Sequence, residues 1–330
     1  MHSLRPAIAI VLSLSAAALA GPAYDSPEAA KADPDYALQG EYEGVLDDGT
    51  GRAEKIGVQV IALGKGRFRA VSFRGGLPGD GFAGEPDDRD EVEGQAQGNT
   101  VTFTSEGYTG RLADGRMTVS YEGKEIGTLK KVERKSRTLG LKPPQEAVVL
   151  FDGSQESLKN WQNGAKITED GLLTQGVTSK QKFGDHTIHV EFRLPFQPED
   201  RGQSRGNSGL YLQGRYEVQM LDSFGLEGKD NECGGIYKVG RPRVHMCYPP
   251  LAWQTYDVEF TAAKFDAQGN KTAPARMTVY HNGVKIHDNI EIPGPTAAAP
   301  VMDEKGPGPV FLQDHGNPVR YRNIWVVERK

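Results

Sequence analysis

One short stretch of this sequence concentrates side chains that could do chemistry. Residues 207–223 read NSGLYLQGRYEVQMLDS and predict two strands joined by a tight turn at the Gln-Gly pair. Because side chains alternate across a strand, Arg215, Glu217 and Gln219 share one face of the second strand. A charged and amide face indicates a sheet that packs on one side and lines a polar cleft on the other.

Two residues in the sequence are candidates for proton transfer. Glu217 could act as a general acid or base on a sugar, with a cross-strand ion pair to Arg215 or Arg322 as the alternative. His315 lies in a QDHG run at a strand end, and its usual pKa near neutrality suits proton transfer. A histidine held by Asp314 or by backbone is the alternative there.

Other polar residues near these two have weaker signals. Asp222 ends a strand and enters a loop, so a turn-capping role competes with catalysis. Arg320 and Arg322 alternate on one face and could bind a substrate oxygen, or they could be surface arginines. The remaining histidines are predicted to be exposed: His186, His189, His281 and His287. The polar clusters also supply Asn207, Tyr211, Gln219, Tyr237 and Gln313 as substrate-binding candidates.

Composition places the chain among soluble globular proteins. It has 330 residues, of which 37% are hydrophobic and 25% are charged, and a formal net charge of -5. This charge gives no basic footprint for nucleic acid. The high glycine and proline content, with little helical periodicity, favours an all-β chain rich in turns.

The first residues predict export to the periplasm or the cell exterior. Arg5 precedes an apolar run that ends in an A-x-A site, so residues 1–20 read as a signal peptide cleaved after Ala20. This run is short for a membrane span, and no other stretch of the sequence predicts a transmembrane anchor. In an oxidising compartment Cys233 and Cys247 could form a disulfide, with two buried thiols as the alternative.

Changes in pattern along the chain predict its organisation. Residues 21–35 form a flexible leader or a short helix. Residues 36–132 form a small antiparallel β-barrel or β-sandwich, for which an accessory role is the default. Residues 133–146 are basic, then proline-bearing, and fit a linker. Residues 147–330 carry strands at short, even spacing, which indicates a two-sheet sandwich or jelly roll.

Six motifs in the second half follow one another in an order that resembles a known family. They are LFDGSQESLKNWQ, NSGLYLQGRYEVQMLDS, ECGGIY, MCYPPLAWQTYDVEF, the NGV hairpin and LQDHGNPVRYRNIWV. Together they closely resemble the bacterial 3-keto-disaccharide hydrolase domain, over about Val148 to Val327. The resemblance implies a concanavalin-A-like jelly-roll sandwich whose concave sheet carries the carbohydrate site, beside the smaller N-terminal antiparallel β-domain.

The resemblance also implies a substrate and a reaction. The substrates would be glycosides that a separate sugar 3-dehydrogenase has oxidised at the 3-hydroxyl, cleaved by hydrolysis or by elimination. A 3-keto group acidifies the C2 hydrogen, so a base can form an enolate and the glycosidic oxygen then leaves from C1. Glu217 and His315 are the base and acid candidates, in either order. The candidates for binding the enolate, the hydroxyls and the sugar ring are Arg215, Gln219, Arg322, Tyr211 and Tyr237.

The sequence requires no cofactor, although folds related to this family often carry calcium. A divalent metal could polarise the 3-keto oxygen, and its candidate ligands are Glu217, Asp222, Asp314 and His315. A non-catalytic, lectin-like carbohydrate-binding module is the alternative function, and a structural surface protein is a third. The fold alone allows all three.

Overall fold

The structure, a computed structural model, describes residues 21–47, 52–85, 88–162 and 164–329. The predicted signal peptide over residues 1–20 lies outside these residues. Within the described part of the chain, none of the helices has the length and apolar character that a membrane span requires. The regular structure is almost entirely strand, which confirms the all-β prediction.

The first half of the described chain winds into a closed antiparallel barrel. Its strands and a small adjoining pair are β1 (Gly40–Asp47), β2 (Ala53–Gly64), β3 (Arg67–Arg74), β4 (Leu77–Pro78), β5 (Gly81–Phe82), β6 (Arg89–Gln97), β7 (Thr100–Ser105), β8 (Tyr108–Ala113), β9 (Arg116–Tyr121) and β10 (Lys124–Val132). The order around the barrel is β1-β10-β9-β8-β7-β6-β3-β2. Tyr42, Val60, Phe68 and Leu129 are buried in one apolar cluster, so side chains fill the barrel interior.

The second half forms a two-sheet sandwich, as the fold prediction required. Its strands are β11 (Val148–Phe151), β12 (Leu173–Thr174), β13 (Val177–Phe183), β14 (His186–Arg193), β15 (Asn207–Leu212), β16 (Tyr216–Leu221), β17 (Trp253–Thr261), β18 (Lys264–Phe265), β19 (Lys271–Ala273), β20 (Ala275–His281), β21 (Val284–Ile292), β22 (Gly308–Leu312) and β23 (Arg320–Glu328). The larger sheet has the order β11-β23-β14-β17-β20-β21, with β12 also paired to β23. The smaller sheet has the order β13-β22-β15-β16. Ile188, Val190 and Phe192 alternate inward from the larger sheet into the shared core.

The predicted hairpin forms the edge of the smaller sheet. Strands β15 and β16 are joined by residues 213–215, and Leu212 pairs with Tyr216, so the loop is one residue longer than the predicted Gln-Gly turn. The φ angles of Gln213 and Gly214, 54° and 64°, are both left-handed. Leu210 and Val218 point into the core between the sheets. The opposite face of the hairpin is therefore the one that carries the polar side chains.

The barrel and the sandwich share one apolar core. Ile61 and Phe73 of the barrel belong to the same buried cluster as the sandwich side chains. A buried ion pair adds a polar tie, because Arg205 Nε lies 2.6 Å from Asp222 Oδ2 and Arg205 Nη1 donates to the Ala62 carbonyl at 3.1 Å. The barrel thus braces the end of β16.

The segment before the barrel was predicted as a flexible leader or a short helix over residues 21–35, and the structure has the helical alternative. It contains two short helices, α1 (Pro27–Ala30) and α2 (Pro34–Leu38). Tyr24 and Phe196 exchange backbone hydrogen bonds of 3.0 and 2.8 Å, and their rings stack. This bridge to the sandwich holds the leader in place.

The linker over residues 133–146 packs on the outer face of the larger sheet. Thr138 Oγ1 donates to Asp257 Oδ2 and the Gly140 amide donates to Glu191 Oε1, both at 2.6 Å. His189 lies beneath the linker, with Nδ1 2.6 Å from Asp257 Oδ1. The predicted exposure of the four remaining histidines is wrong, because all four are buried: His186, His189, His281 and His287.

The two cysteines differ from the predicted disulfide, since Cys233 and Cys247 are both free, buried thiols. The two thiols interact with each other. Cys233 Sγ also lies 3.3 Å from the Tyr256 hydroxyl, and Cys247 Sγ donates to the Leu221 carbonyl at 3.5 Å. Burial raises the pKa of Cys247 well above its usual value, so this thiol stays protonated. The alternative of two buried thiols is the one that the structure has.

Candidate active site

Glu217 lies on the polar face of the hairpin, directly over a glycine of the neighbouring strand. Gly209 pairs with Gln219, and Tyr211 pairs with Glu217, so these residues share one face. A Cβ atom at position 209 would lie only 2.1 Å from Glu217 Oε1. The glycine therefore makes room for the carboxyl group, which folds back across β15.

Burial gives Glu217 the pKa of a general acid or base. Its side chain is 6% exposed, and this desolvation raises its pKa from 4.5 to about 7. Tyr211 interacts with the carboxyl group and partly offsets the rise by stabilising the carboxylate. Near neutral pH both forms of Glu217 are populated, which is the condition under which a carboxyl group both accepts and returns a proton efficiently.

A loop over residues 293–301 packs beside Glu217 and Tyr211. Thr296 Oγ1 accepts the backbone amide of Glu217 at 2.9 Å, and the Tyr211 hydroxyl donates to the Ala297 carbonyl at 2.9 Å. Gln313 approaches from β22, with Nε2 3.3 Å from the Tyr211 hydroxyl. Burial raises the pKa of Tyr211, so its phenol remains a hydrogen-bond donor at neutral pH.

Beyond Glu217, amide side chains continue along the same face. Gln219 Nε2 donates to Gln203 Oε1 at 3.2 Å, and Asn207 Nδ2 donates to the same oxygen at 3.1 Å. Gln203 in turn donates to the Asn231 carbonyl at 3.0 Å and so reaches across to the loop that borders β16. The predicted residues that the structure brings together on this face are Glu217, Tyr211, Gln219, Asn207 and Gln313.

Three predicted site residues lie elsewhere. The guanidinium of Arg215 donates to the carbonyls of Lys305 and Gly306 at 3.0 and 2.8 Å, so it holds a loop. Arg322 is on β23 in the larger sheet, where it bonds Glu191 at 2.7 Å and lies over the Trp253 ring. Asp222 is occupied by its ion pair with Arg205.

The remaining predicted residues lie at the surface around the site. Asp314 and His315 are exposed and follow Gln313, and Asp314 caps a turn by accepting the Gly316 amide at 2.9 Å. Tyr237 is 37% exposed, on the loop whose Gly235 carbonyl accepts the Gln219 amide. His315 and Tyr237 remain candidates for contacts with the outer part of a ligand.

The predicted metal ligands do not fit a common site. Asp222 is paired with Arg205, and Asp314 accepts the Gly316 amide within a turn. Neither carboxylate is therefore free to bind an ion together with Glu217. Across the described residues, no group of three or more His, Cys, Asp or Glu side chains is arranged to hold a metal. A divalent metal in this protein therefore stays a prediction.

A separate cleft of about 730 Å³ lies between the leader helices and one end of the barrel. Its lining includes Asp33, Asp35, Lys65 and Glu199. The buried Asp35 carboxylate accepts the Gly66 amide at 3.0 Å, and Lys65 pairs with Glu199 at 2.9 Å. Asp35, Lys65 and Glu199 in this cleft are thus engaged with one another or with backbone.

Sequence reasoning missed the residues that reach the site through loops. Gln203 contacts Asn207 from a segment that has no strand pattern. Thr296 contacts the backbone amide of Glu217 from 79 residues further along the chain. No strand periodicity marks either of them.

Comparisons with known proteins match the second half of the chain. Residues 146–327 match the model of the 3-keto-alpha-glucoside-1,2-lyase-like domain, which includes Glu217 and leaves the barrel outside. Among solved structures, a protein of Parabacteroides distasonis described as a “putative glycosyl hydrolase” is 34% identical with a TM-score of 0.51, covering 56% of this chain and 85% of that one. A second protein of the same organism and description is 19% identical with a TM-score of 0.42, covering 56% and 95%. Among proteins of curated function, none matches the chain.

Proposed function

This chain belongs to the 3-keto-alpha-glucoside-1,2-lyase-like domain family, and on that premise we propose that it cleaves the glycosidic bond of 3-keto-glycosides. The family match and the glycosyl hydrolase description of its 34% identical relative support a carbohydrate-active enzyme that cleaves glycosides. The observation that carries the finer proposal is the buried carboxyl group of Glu217, whose pKa burial raises to about 7.

In this proposal Glu217 acts on a carbon acid. Its carboxylate removes the C2 proton, and the C2 electron pair forms an enolate that extends to the 3-keto oxygen. The enolate then expels the glycosidic oxygen from C1, which takes up a proton and leaves as an alcohol. The products are that alcohol and a sugar with a C1–C2 double bond, and addition of water to this bond makes the overall reaction a hydrolysis.

One carboxyl group suits this chemistry better than it suits direct glycoside hydrolysis. Direct hydrolysis commonly uses two carboxyl groups that flank the bond, either about 5 Å or about 6.5–9.5 Å apart. Elimination needs one base, an oxyanion stabiliser and a proton for the leaving group. The proposed oxyanion donors are Gln313, whose amide has one N–H beyond its bond to Tyr211, and Tyr211 once its proton leaves the Ala297 carbonyl. His315 is the proposed acid at the rim.

Proton exchange at C2 tests this proposal most directly. We expect the protein to convert methyl 3-keto-α-glucoside in D₂O with deuterium incorporation at C2, and to leave methyl α-glucoside unchanged. The Glu217→Gln variant should lose both exchange and cleavage. Cleavage of the unoxidised glucoside at a similar rate, or exchange that persists in Glu217→Gln, would refute the proposal. Binding with neither exchange nor cleavage would support the lectin-like alternative.

A further inference from the structure

A second group of polar side chains lies on the same sheet face as Glu217 but further along the hairpin. Residues four apart on a strand are about 13 Å from each other, so Asn207 lies one such step from Tyr211 along β15. Gln219 is opposite Gly209, between these two positions. The amides therefore begin about where a second sugar ring would lie, if the first ring were held at Glu217.

The amide of Asn207 is buried but only half satisfied. Its side chain is 1% exposed, and Nδ2 donates to the backbone and side-chain oxygens of Gln203 at 2.8 and 3.1 Å. Its Oδ1 is buried and accepts no hydrogen bond from any described residue. A buried carbonyl oxygen without a donor costs about 1–3 kcal/mol, which favours a role in accepting a hydroxyl of a ligand.

The side chain of Gln203 is hydrogen-bonded to both Asn207 and Gln219. Its Oε1 accepts hydrogen bonds from both Asn207 Nδ2 and Gln219 Nε2, as one oxygen of a sugar hydroxyl could. Its Nε2 donates to the Asn231 carbonyl at 3.0 Å. Gln203 is exposed and lies on a short 3₁₀ helix, Gly202–Ser204, so its side chain can leave without disturbing the core.

We propose that Asn207 and Gln219 form a second sugar-binding subsite, and that a hydroxyl of the ligand displaces the side-chain oxygen of Gln203 from it. This proposal rests on the proposed function, because it takes the first sugar to lie at Glu217. The ligand class is an uncharged saccharide of at least two residues. The groups that converge here are neutral amides, and the nearby cation of Arg215 is already bound to backbone carbonyls.

Binding of unoxidised sugars tests the subsite without any turnover. Titration calorimetry would compare methyl α-glucoside, which has one ring, with an α-linked glucose disaccharide. We expect Gln219→Ala to weaken binding of the disaccharide about fivefold, the worth of one net hydrogen bond, and to leave methyl α-glucoside unchanged. Because Gln203 competes with the ligand, Gln203→Ala should strengthen disaccharide binding by a similar factor.

A matched control is Gln268→Ala, which removes an exposed glutamine from a turn far along the chain and should change neither affinity. Circular dichroism and thermal unfolding check that each variant folds. Equal weakening of both sugars by Gln219→Ala, weaker disaccharide binding in Gln203→Ala, or no sugar binding at all would each overturn the subsite.

The two proposals can fail separately. A protein that distinguishes the two sugars as expected but cleaves no 3-keto-glycoside would keep the subsite and lose the proposed reaction. A protein that cleaves 3-keto-glycosides, while Gln219→Ala shows no dependence on sugar length, would keep the reaction and lose the subsite.

Discussion

Replacing Glu217 by glutamine should stabilise the fold at alkaline pH while it removes the proposed base. Burial raises the pKa of Glu217 from 4.5 to about 7. At about 1.4 kcal/mol for each pH unit, this difference makes ionisation of the folded protein cost about 3 kcal/mol. A domain is typically stable by about 5–15 kcal/mol, so the penalty is a substantial fraction of the total.

The sign of the pH dependence follows from which state holds the proton. Between about pH 4.5 and pH 7 the folded protein keeps the Glu217 proton while the unfolded chain has lost it. The contribution of Glu217 to the free energy of unfolding therefore falls as pH rises through this window, and the loss is complete above about pH 7. Glutamine is neutral at every pH and avoids this loss.

Urea unfolding at pH 4 and pH 8 measures the effect. The stability of Glu217→Gln relative to wild type should rise by about 3 kcal/mol between these two conditions. Burying the extra amide donors adds a constant offset, so the change with pH is the quantity that tests the reasoning. The exposed Glu169→Gln variant removes the same formal charge and should show no such change. A difference that is equal at both pH values would refute the assigned pKa.

Three further substitutions test the site and its supports. Gly209→Ala should abolish cleavage in steady-state assays and lower stability by about 1–3 kcal/mol, because its Cβ would collide with the carboxyl group of Glu217; full activity would contradict this packing. Tyr211→Phe removes a group that lowers the pKa of Glu217, so the pH–rate profile for C2 exchange should move to higher pH, and a move to lower pH would count against the interaction. Asp222→Asn leaves the Arg205 cation buried and unpaired, so urea unfolding should show a loss of about 3–5 kcal/mol, whereas a change below about 1 kcal/mol would contradict the buried pair.

The parts of the site that sequence could predict are those set by local periodicity. Alternation along β16 placed Glu217 and Gln219 on one face, as the structure has them. The predicted two-residue Gln-Gly turn would put Leu210 opposite Glu217, whereas the loop also includes Arg215 and so puts Tyr211 opposite Glu217. Alternation does not predict that the space above Gly209 holds the Glu217 side chain. Period-two patterns determine which face a side chain takes, but they do not determine which group lies above it.

Sequence could not assign Arg322, because its position depends on which sheet its strand joins. Gln313 and Arg322 are nine residues apart, yet β22 pairs with β15 in the smaller sheet and β23 pairs with β14 in the larger one. The turn between them moves the chain from one sheet to the other. His189 was misjudged for a related reason, since the linker that buries it comes about fifty residues earlier in the chain.

The barrel lies outside the family match, but its contacts place it among the supports of the site. Arg205, which donates to the barrel carbonyl of Ala62, also binds Asp222, the residue directly after the strand that carries Glu217. The segment that contains Arg205 begins with the helix of Gln203 and leads into Asn207. Movement of the barrel would therefore reach both the end of β16 and the loop that closes the amides. The barrel therefore contacts the segments that shape the site, whether or not it binds sugar itself.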